Sequence, residues 1–286
     1  MPVAGRRIEL WVEARDGIAA VNPVIRALLD ILRQDGAMTV VRVTDHEVVD
    51  VDDLGWEPAM AADVILLKSA TSVALALAAA AEAGGVPCLN HARPTLRAHD
   101  KAATIARLDA AGLPVPETLL ADPSAPMSAP ADSSGSWVSK PVSGIHGQGV
   151  TFHDAYPTTL DVAVSGGDHF VVDDGVRVIQ RRVGGVEPDV KVYVADRRCF
   201  VGSKQFNSTS FQSDQLTRGD LDVAVTKMVL AVGEVLELRC FGVDLRSNGH
   251  GFAIIDANPF PGYRGCPDAL PALRREVGRA LNDAPS

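Results

Sequence analysis

The chain has 286 residues, 47% hydrophobic and 22% charged, with a net charge of −9 at neutral pH. That length supports a large core, usually divided among more than one lobe. The acidic balance argues against an extended nucleic-acid footprint, which needs clustered Lys and Arg. The longest apolar stretch, SVALALAAAAEAGG (72–85), is too short to cross a bilayer and is broken by Glu82. The first residues also lack the apolar core of a secretory leader. No membrane partner and a cytoplasmic location are expected.

RRIELWVEA (6–14) reads as a strand and is followed by helical spacing over 22–34. MTVVRV (38–43), DVILLK (63–68) and VPCLN (86–90) are apolar runs short enough for buried strands, with a packed helix at 72–84 between the last two. This alternation predicts a small parallel sheet. Further on, HDKAATIARLDAAGLPVPET (99–118) carries Ala, Leu and Ile at helical spacing from Asp100 to Ala111, and Gly112 stands where a helix ends. ADPSAPMSAPADSSGS (121–136) has little to bury and predicts a mobile surface connection.

From Trp137 the character changes. WVSKPV, HFVVDD (169–174), VRVIQRRV, DVKVYVAD, RCFVGSKQF, CFGVDLRS and GFAIIDAN are β-branched runs between short turns, with one clear helix at about 221–238. They predict an antiparallel, α+β arrangement. Cys88, Cys199, Cys240 and Cys266 are scattered without metal-like spacing, as expected of reduced thiols.

Chemistry concentrates in two stretches. In GFAIIDANPFPGYRG (251–265), Asp256 and Asn258 are two residues apart, so in a strand they face the same side. A hairpin through RSNGHG (246–251) brings Asp244 beside them, giving three oxygen ligands suited to a hard cation. Taken alone, the stretch also fits a strand running into a Pro/Gly turn. In KPVSGIHGQGV (140–150), Gly144, Gly147 and Gly149 allow close approach to a ligand, and successive backbone N–H groups can cradle phosphate. Lys140 precedes this loop and, as a strand-end lysine, is expected to bury little. The stretch is neither a Walker A motif nor a dinucleotide fingerprint. Lys101, Lys191 and Lys204 are further cations near these elements.

The order of these parts resembles the ATP-grasp superfamily over nearly the whole chain. The matching pieces are HDKAATIARLDAAGLPVPET, KPVSGIHGQGV, VIQRRV, DVKVYV and GVDLRSNGHGFAIIDAN. The resemblance implies an α/β N-terminal lobe (1–92) followed by α+β ATP-grasp lobes (93–286, divided near 182), with the nucleotide held between two antiparallel sheets. It implies that Lys101, Lys140 and the glycines 144, 147 and 149 hold ATP phosphates. Gln180, Arg181, Arg182 and Val183 would form the hinge that reads adenine through its backbone. Asp244, Asp256 and Asn258 would hold Mg²⁺, with Mn²⁺ as a substitute.

The chain departs from the common pattern in two places. Arginines stand where the hinge usually carries an acidic residue, and Asp256 replaces the usual Glu. Two subfamilies share the resemblance. The glutamate-ligase-like (RimK-like) group joins a carboxylate to an amine through an acyl phosphate. The inositol polyphosphate kinases share the ending DANPFPGY and cations matching Lys68, His146 and Lys191. Lys68, His146, Lys191, Lys204 and Arg264 are the candidate catalytic cations. One or two of them suffice for a carboxylate substrate, whereas a polyphosphate needs many, so the ligase reading leads. A nucleotide-binding regulator without turnover is a third possibility. A small molecule or peptide is the expected substrate, and the sequence leaves monomer and homodimer open.

Overall fold

β1 (Arg7–Val12) is buried along nearly its whole length, as a strand covered on both faces must be. It is the second strand of a parallel sheet ordered β4 (Met38–Val43), β1, β5 (Val64–Leu67), β6 (Cys88–Leu89). The computed structural model describes residues 3–15, 18–19, 21–44, 61–122, 124, 126–143, 149–160, 175–184, 189–204 and 221–283. The run HFVVDD, expected as a strand, lies outside them. A two-stranded ribbon, β2 (Ala14–Arg15) with β3 (Ile18–Ala19), follows β1.

Local signals fix the helices. Asn22 caps α1 (Pro23–Gln34) by accepting from the Val24 N–H, and Pro23 stands where its missing N–H costs nothing. Val24, Ile25, Leu28, Leu29 and Leu32 form its buried face. Thr71 caps α2 (Ser72–Ala83), the expected packed helix. The helix expected from Asp100 is the second of a pair. α3 (Ala92–His99) ends at Asp100, whose extended backbone breaks the run and whose carboxylate caps α4 (Lys101–Ala110) by accepting from the Ala103 N–H at 2.8 Å. Gly112 follows with φ +73, the left-handed conformation that glycine adopts most cheaply.

The antiparallel part forms two sheets, as the resemblance implied. The first is ordered β7 (Thr118–Ala121), β10 (Arg177–Arg181), β8 (Trp137–Pro141), β9 (Thr151–His153). The second is ordered β12 (Arg198–Lys204), β11 (Asp189–Ala195), β13 (Phe241–Ser247), β14 (Phe252–Pro259). α5 (Val223–Leu236), capped by Asp222, lies on the second sheet with Val225, Val229, Val232 and Leu236 in a core shared with Val192, Val243 and Ile254.

A helix the sequence reading missed, α6 (Leu270–Ala280), follows a 3₁₀ turn at Pro267–Ala269. Its Leu273 and Val277 join Ile8 and Leu10 of the parallel sheet, Ile25 and Leu28 of α1, Tyr193 of the second antiparallel sheet, and Phe260 and Tyr263 of the loop after β14 in one core. The parallel lobe and the last sheet therefore pack as a unit. All four cysteines are free thiols. Among the described residues no helix is long and apolar enough to cross a membrane.

Candidate nucleotide and metal site

Three charged residues stand in one row across the second antiparallel sheet. Lys191 on β11 pairs directly with Asp244 on β13, and Asp244 pairs directly with Asp256 on β14. Directly opposed side chains on one face meet across strands. The Lys191 ammonium donates to both Asp244 oxygens, at 2.5 and 2.8 Å. Asn258, two residues beyond Asp256, donates from Nδ2 to Asp256 Oδ2 at 3.4 Å. Its side-chain carbonyl oxygen is then the atom left to ligate.

The register shifts between Asp244 and Leu245: Asp256 faces Asp244, Ile254 faces Leu245, and Ile255 is the extra residue of a β-bulge. Bulges interrupt a ladder and re-aim groups beside active sites. Here the Ile255 carbonyl accepts from the Lys140 ammonium, at 2.9 Å.

That bond reaches between the sheets, because Lys140 belongs to β8. Its ammonium also donates to Gln180 Oε1 on β10, at 3.2 Å. Lys140 is only 7% exposed, which corrects the expectation of a little-buried strand-end lysine. The reason is the bulge across the cleft, which supplies a carbonyl partner. Burial, more than the nearby Asp256 can offset, pulls the Lys140 ammonium below the usual lysine range, with Lys101 pushing the same way. Lys101 opens α4, and its N–H donates to the Val142 carbonyl at 3.0 Å, which ties the helix start to the end of β8.

Electrostatics at Asp256 run the other way. Burial would raise its carboxyl, but Lys101, Lys140 and Lys191 together hold it below the usual carboxylate range. Asp244 has the corresponding effect on Lys191: burial would lower that ammonium, and the carboxylate raises it above its ordinary value. The result is a half-buried cluster of two carboxylates, an amide and three lysines. One side can offer oxygen ligands to a hard cation and the other can offer ammonium groups to phosphate. Among the described residues no group of three His, Cys, Asp or Glu side chains could hold a metal. Two carboxylates and one amide oxygen are hard donors too few to fill a coordination shell, which fits a cation that keeps waters and shares phosphate oxygens, as Mg²⁺ does.

His99, absent from the sequence reading, belongs to this cluster. Burial, Lys101 and Lys68 push its imidazole down to about 4, against a smaller pull from Asp256. Its place two residues before Lys101 in HDK was the available signal.

Other expected site residues lie farther out. Lys68, at the end of β5, donates to the Phe260 carbonyl at 3.4 Å, so it faces the loop after β14. Gly262 in that loop lies against the Asn22 side chain, where an added Cβ would come within 3.1 Å. Arg264 is exposed beside it. Gly149 has φ +67 and packs against Pro141, where a Cβ would meet the ring at 2.8 Å. Gly144, His146 and Gly147 lie outside the described residues. Lys204 pairs with Asp189 at the end of β12, and its side chain is likewise outside them.

The segment expected to form the hinge, Gln180 to Val183, spans the end of β10 and the two residues after it. Arg181 turns its guanidinium toward the 121–136 connection: it donates to Glu117, to the Asp132 carbonyl at 2.6 Å and to the Ser134 carbonyl, and it stacks on Trp137 with 4.5 Å to the ring centre. Arg182 lies over Phe152. A cleft of about 490 Å³ opens beside this segment, lined by Glu117, Arg181, Arg182, Val183, Asn248 and neighbouring residues.

Two four-stranded antiparallel sheets, one carrying Lys140 and the other the carboxylate row, define a nucleotide-grasping architecture. The model of the ATP-grasp domain matches residues 98–262, and the chain belongs to that family. The fold is shared with D-alanine–D-alanine ligase from Bacillus anthracis complexed with ATP, at 16% identity, TM-score 0.67, and 98% and 97% of the two chains. It is shared too with a RimK domain ATP-grasp protein from Sphaerobacter thermophilus, at 19% identity, TM-score 0.69, and 98% and 100%. The ATP-grasp ligase PsnB, complexed with a phosphomimetic variant of its minimal precursor, Mg and ADP, is similar at 17% identity, TM-score 0.61, and 96% and 99%. No curated protein matches the chain in sequence.

Proposed function

We propose that this protein is an ATP- and Mg²⁺-dependent ligase that joins a carboxylate to an amine through an acyl phosphate. The observation that carries the reading is the row Lys191–Asp244–Asp256 with Lys101 and Lys140 close to Asp256. Asp244, Asp256 and Asn258 would hold the metal, which when bound supplies neutralising charge between the terminal phosphates. Lys101 and Lys140 would bind phosphate oxygens, and Gln180 would keep Lys140 aimed. Arg181, Arg182 and Val183 would carry the hinge over the adenine, with backbone groups as readers, because the Arg181 guanidinium is engaged elsewhere.

A substrate carboxylate oxygen attacks the terminal phosphorus of ATP as the bond to the bridging oxygen breaks and ADP leaves. An amine then attacks the carbonyl carbon of the acyl phosphate, inorganic phosphate leaves, and the amine's proton passes to solvent. Lys68, beside the 259–264 loop, would orient the carboxylate at the junction with the parallel lobe, with Arg264 at its outer edge. Gly149 and the rest of the glycine loop would exclude water. The similar ligases support this reading: one is described with ATP, another with Mg, ADP and a peptide precursor. A small molecule or a peptide is the proposed substrate class.

The test is a screen of amino acids, short peptides and inositol phosphates with Mg·ATP, following free phosphate and product mass together. A ligase releases phosphate with an amide product. Phosphate retained on an inositol substrate would replace this reading with a kinase, and nucleotide binding without turnover would replace it with a regulator.

A further inference from the structure

The Lys191–Asp244 pair poses a problem for metal entry. Both oxygens of the candidate metal ligand are taken by one ammonium, at 2.5 and 2.8 Å, and the two residues are fixed opposite each other by the β11–β13 ladder. The pair is only partly withdrawn from water, with side chains 25% and 21% exposed. Lys140, by contrast, rests on a carbonyl and an amide oxygen and leaves the carboxylates untouched. A divalent cation at Asp244 would sit next to an ammonium already coordinated there, and like charges at such separation repel strongly. Metal binding therefore requires Lys191 to leave, and a partly buried ammonium leaves readily only toward another anion.

From this we infer that Lys191 is a cation placeholder: it occupies Asp244 until nucleotide phosphates draw it away, so that the divalent metal enters with the nucleotide and not before it. The inference rests on the proposed nucleotide site. Binding is then strongly coupled. Nucleotide raises metal affinity by supplying Lys191 with a new partner, and by reciprocity metal raises nucleotide affinity by the same factor.

The experiment uses the full chain, Mn²⁺ and the non-hydrolysable analogue AMP-PNP. Free Mn²⁺ is read from its paramagnetic resonance signal, against protein-free solution holding the same nucleotide, and AMP-PNP affinity is read by calorimetry with and without Mn²⁺. For wild type, Mn²⁺ alone is expected to bind at least about 10-fold more weakly than with AMP-PNP, roughly 1.4 kcal/mol of coupling. Lys191→Gln should bind Mn²⁺ alone about 10-fold more tightly than wild type and show a smaller coupling factor. Lys191→Arg, which can keep the two-point contact, should retain weak binding of Mn²⁺ alone. Asp244→Asn should lose the gain seen in Lys191→Gln when the two are combined.

Equal Mn²⁺ affinity in wild type and Lys191→Gln without nucleotide overturns the placeholder while leaving the metal site intact. So does a wild type that binds Mn²⁺ equally well with and without AMP-PNP. A wild type that binds AMP-PNP but no Mn²⁺ in its presence overturns the metal site, and the placeholder falls with it. Should Lys191→Gln fail to fold, the coupling factors of wild type and Lys191→Arg decide, since the inference requires both to be large.

Discussion

The Asn90 side chain clasps the backbone at Cys240. Its Oδ1 accepts from the N–H groups of Arg239 and Cys240, at 2.8 and 2.9 Å, and its Nδ2 donates to the Cys240 carbonyl at 2.6 Å. Asn90 follows the last strand of the parallel sheet and Cys240 precedes β13, so one amide joins the parallel lobe to the strand that carries Asp244. With Asn90 only 1% exposed, no water replaces it.

Asn90→Ala orphans the buried Cys240 N–H and the partly buried Arg239 N–H, while the Cys240 carbonyl keeps the Phe260 N–H at 2.9 Å. An unsatisfied buried donor costs about 1–3 kcal/mol, so the variant should lose roughly 3 kcal/mol of unfolding free energy. Urea unfolding of the two proteins measures this. A loss under about 1 kcal/mol would show that the clasp contributes little beyond what hydration replaces.

Lys140 separates stability from binding. Its lowered pKa means that the folded protein disfavours the ammonium relative to the unfolded chain, so the charge itself costs stability near neutral pH. Lys140→Met keeps the stem's packing and removes that cost, while Asp256 retains Lys101 and Lys191. Its melting temperature should match or exceed that of wild type. Lys140→Ala adds a cavity and should melt lower. Both lose a charge-assisted phosphate contact of about 1.5–3 kcal/mol, so calorimetry should show ATP binding weaker by about one to two orders of magnitude. Equal destabilisation in the two variants would refute the desolvation argument, and unchanged ATP affinity would remove Lys140 from the site.

Local signals were the legible ones. Asn22–Pro23, Asp100 and Asp222 mark helix starts, and each caps the helix that follows. The period-2 placement of Asp256 and Asn258, with Asp244 across a hairpin, also survives in the fold. What the sequence did not reveal depends on contacts across the cleft. The burial of Lys140 requires a bulge on β14, a strand more than a hundred residues away in the chain. Arg181 reads as a hinge residue, yet its guanidinium is claimed by a connection that composition marks as unstructured. α6 was missed for a different reason. It has no side-chain cap, and its buried Ala272, Leu273, Val277 and Ala280 are diluted by arginines.

His99 predicts a pH dependence. Its imidazole titrates near 4 in the folded protein, against 6.5 as the ordinary value, because of burial and then Lys101 and Lys68. Between those values the unfolded chain binds the proton and the folded one does not, so stability rises with pH there. Stability is fully present above about pH 6.5 and is lost on acidification toward about pH 4. The contribution is on the order of 1–2 kcal/mol at about pH 5. His99→Gln removes this component. Urea unfolding at about pH 7 and about pH 5 should therefore show a smaller acid loss in the variant. Equal losses would mean that the imidazole is charged in the folded state.

Arg181 gives the last prediction, about the connection at 121–136. Composition alone predicts a uniformly mobile segment, but the structure fastens its far end in several places. Arg181 holds the Asp132 and Ser134 carbonyls, Trp137 donates from Nε1 to the Ser133 carbonyl, and an Asp132 turn accepts the Ser134 N–H at 3.0 Å. Nearer the middle, Tyr156 donates to the Ser128 carbonyl at 3.2 Å, in an exposed bond. Hydrogen exchange should therefore be faster over 126–131 than over 133–136. Arg181→Ala removes the guanidinium from both carbonyls, from Glu117 and from the Trp137 face, and should bring 133–136 to the rate of its neighbours. Because Arg181 also ends β10, where Gln180 holds Lys140, ATP affinity should fall modestly, by about 2- to 5-fold, an indirect loss of up to roughly 1 kcal/mol. Lys140→Met is predicted to fall further than this, since it removes the phosphate contact itself. Slow, uniform exchange across 126–136 that Arg181→Ala leaves unchanged would show that other contacts hold the connection, and that the arginine at the hinge serves the nucleotide instead.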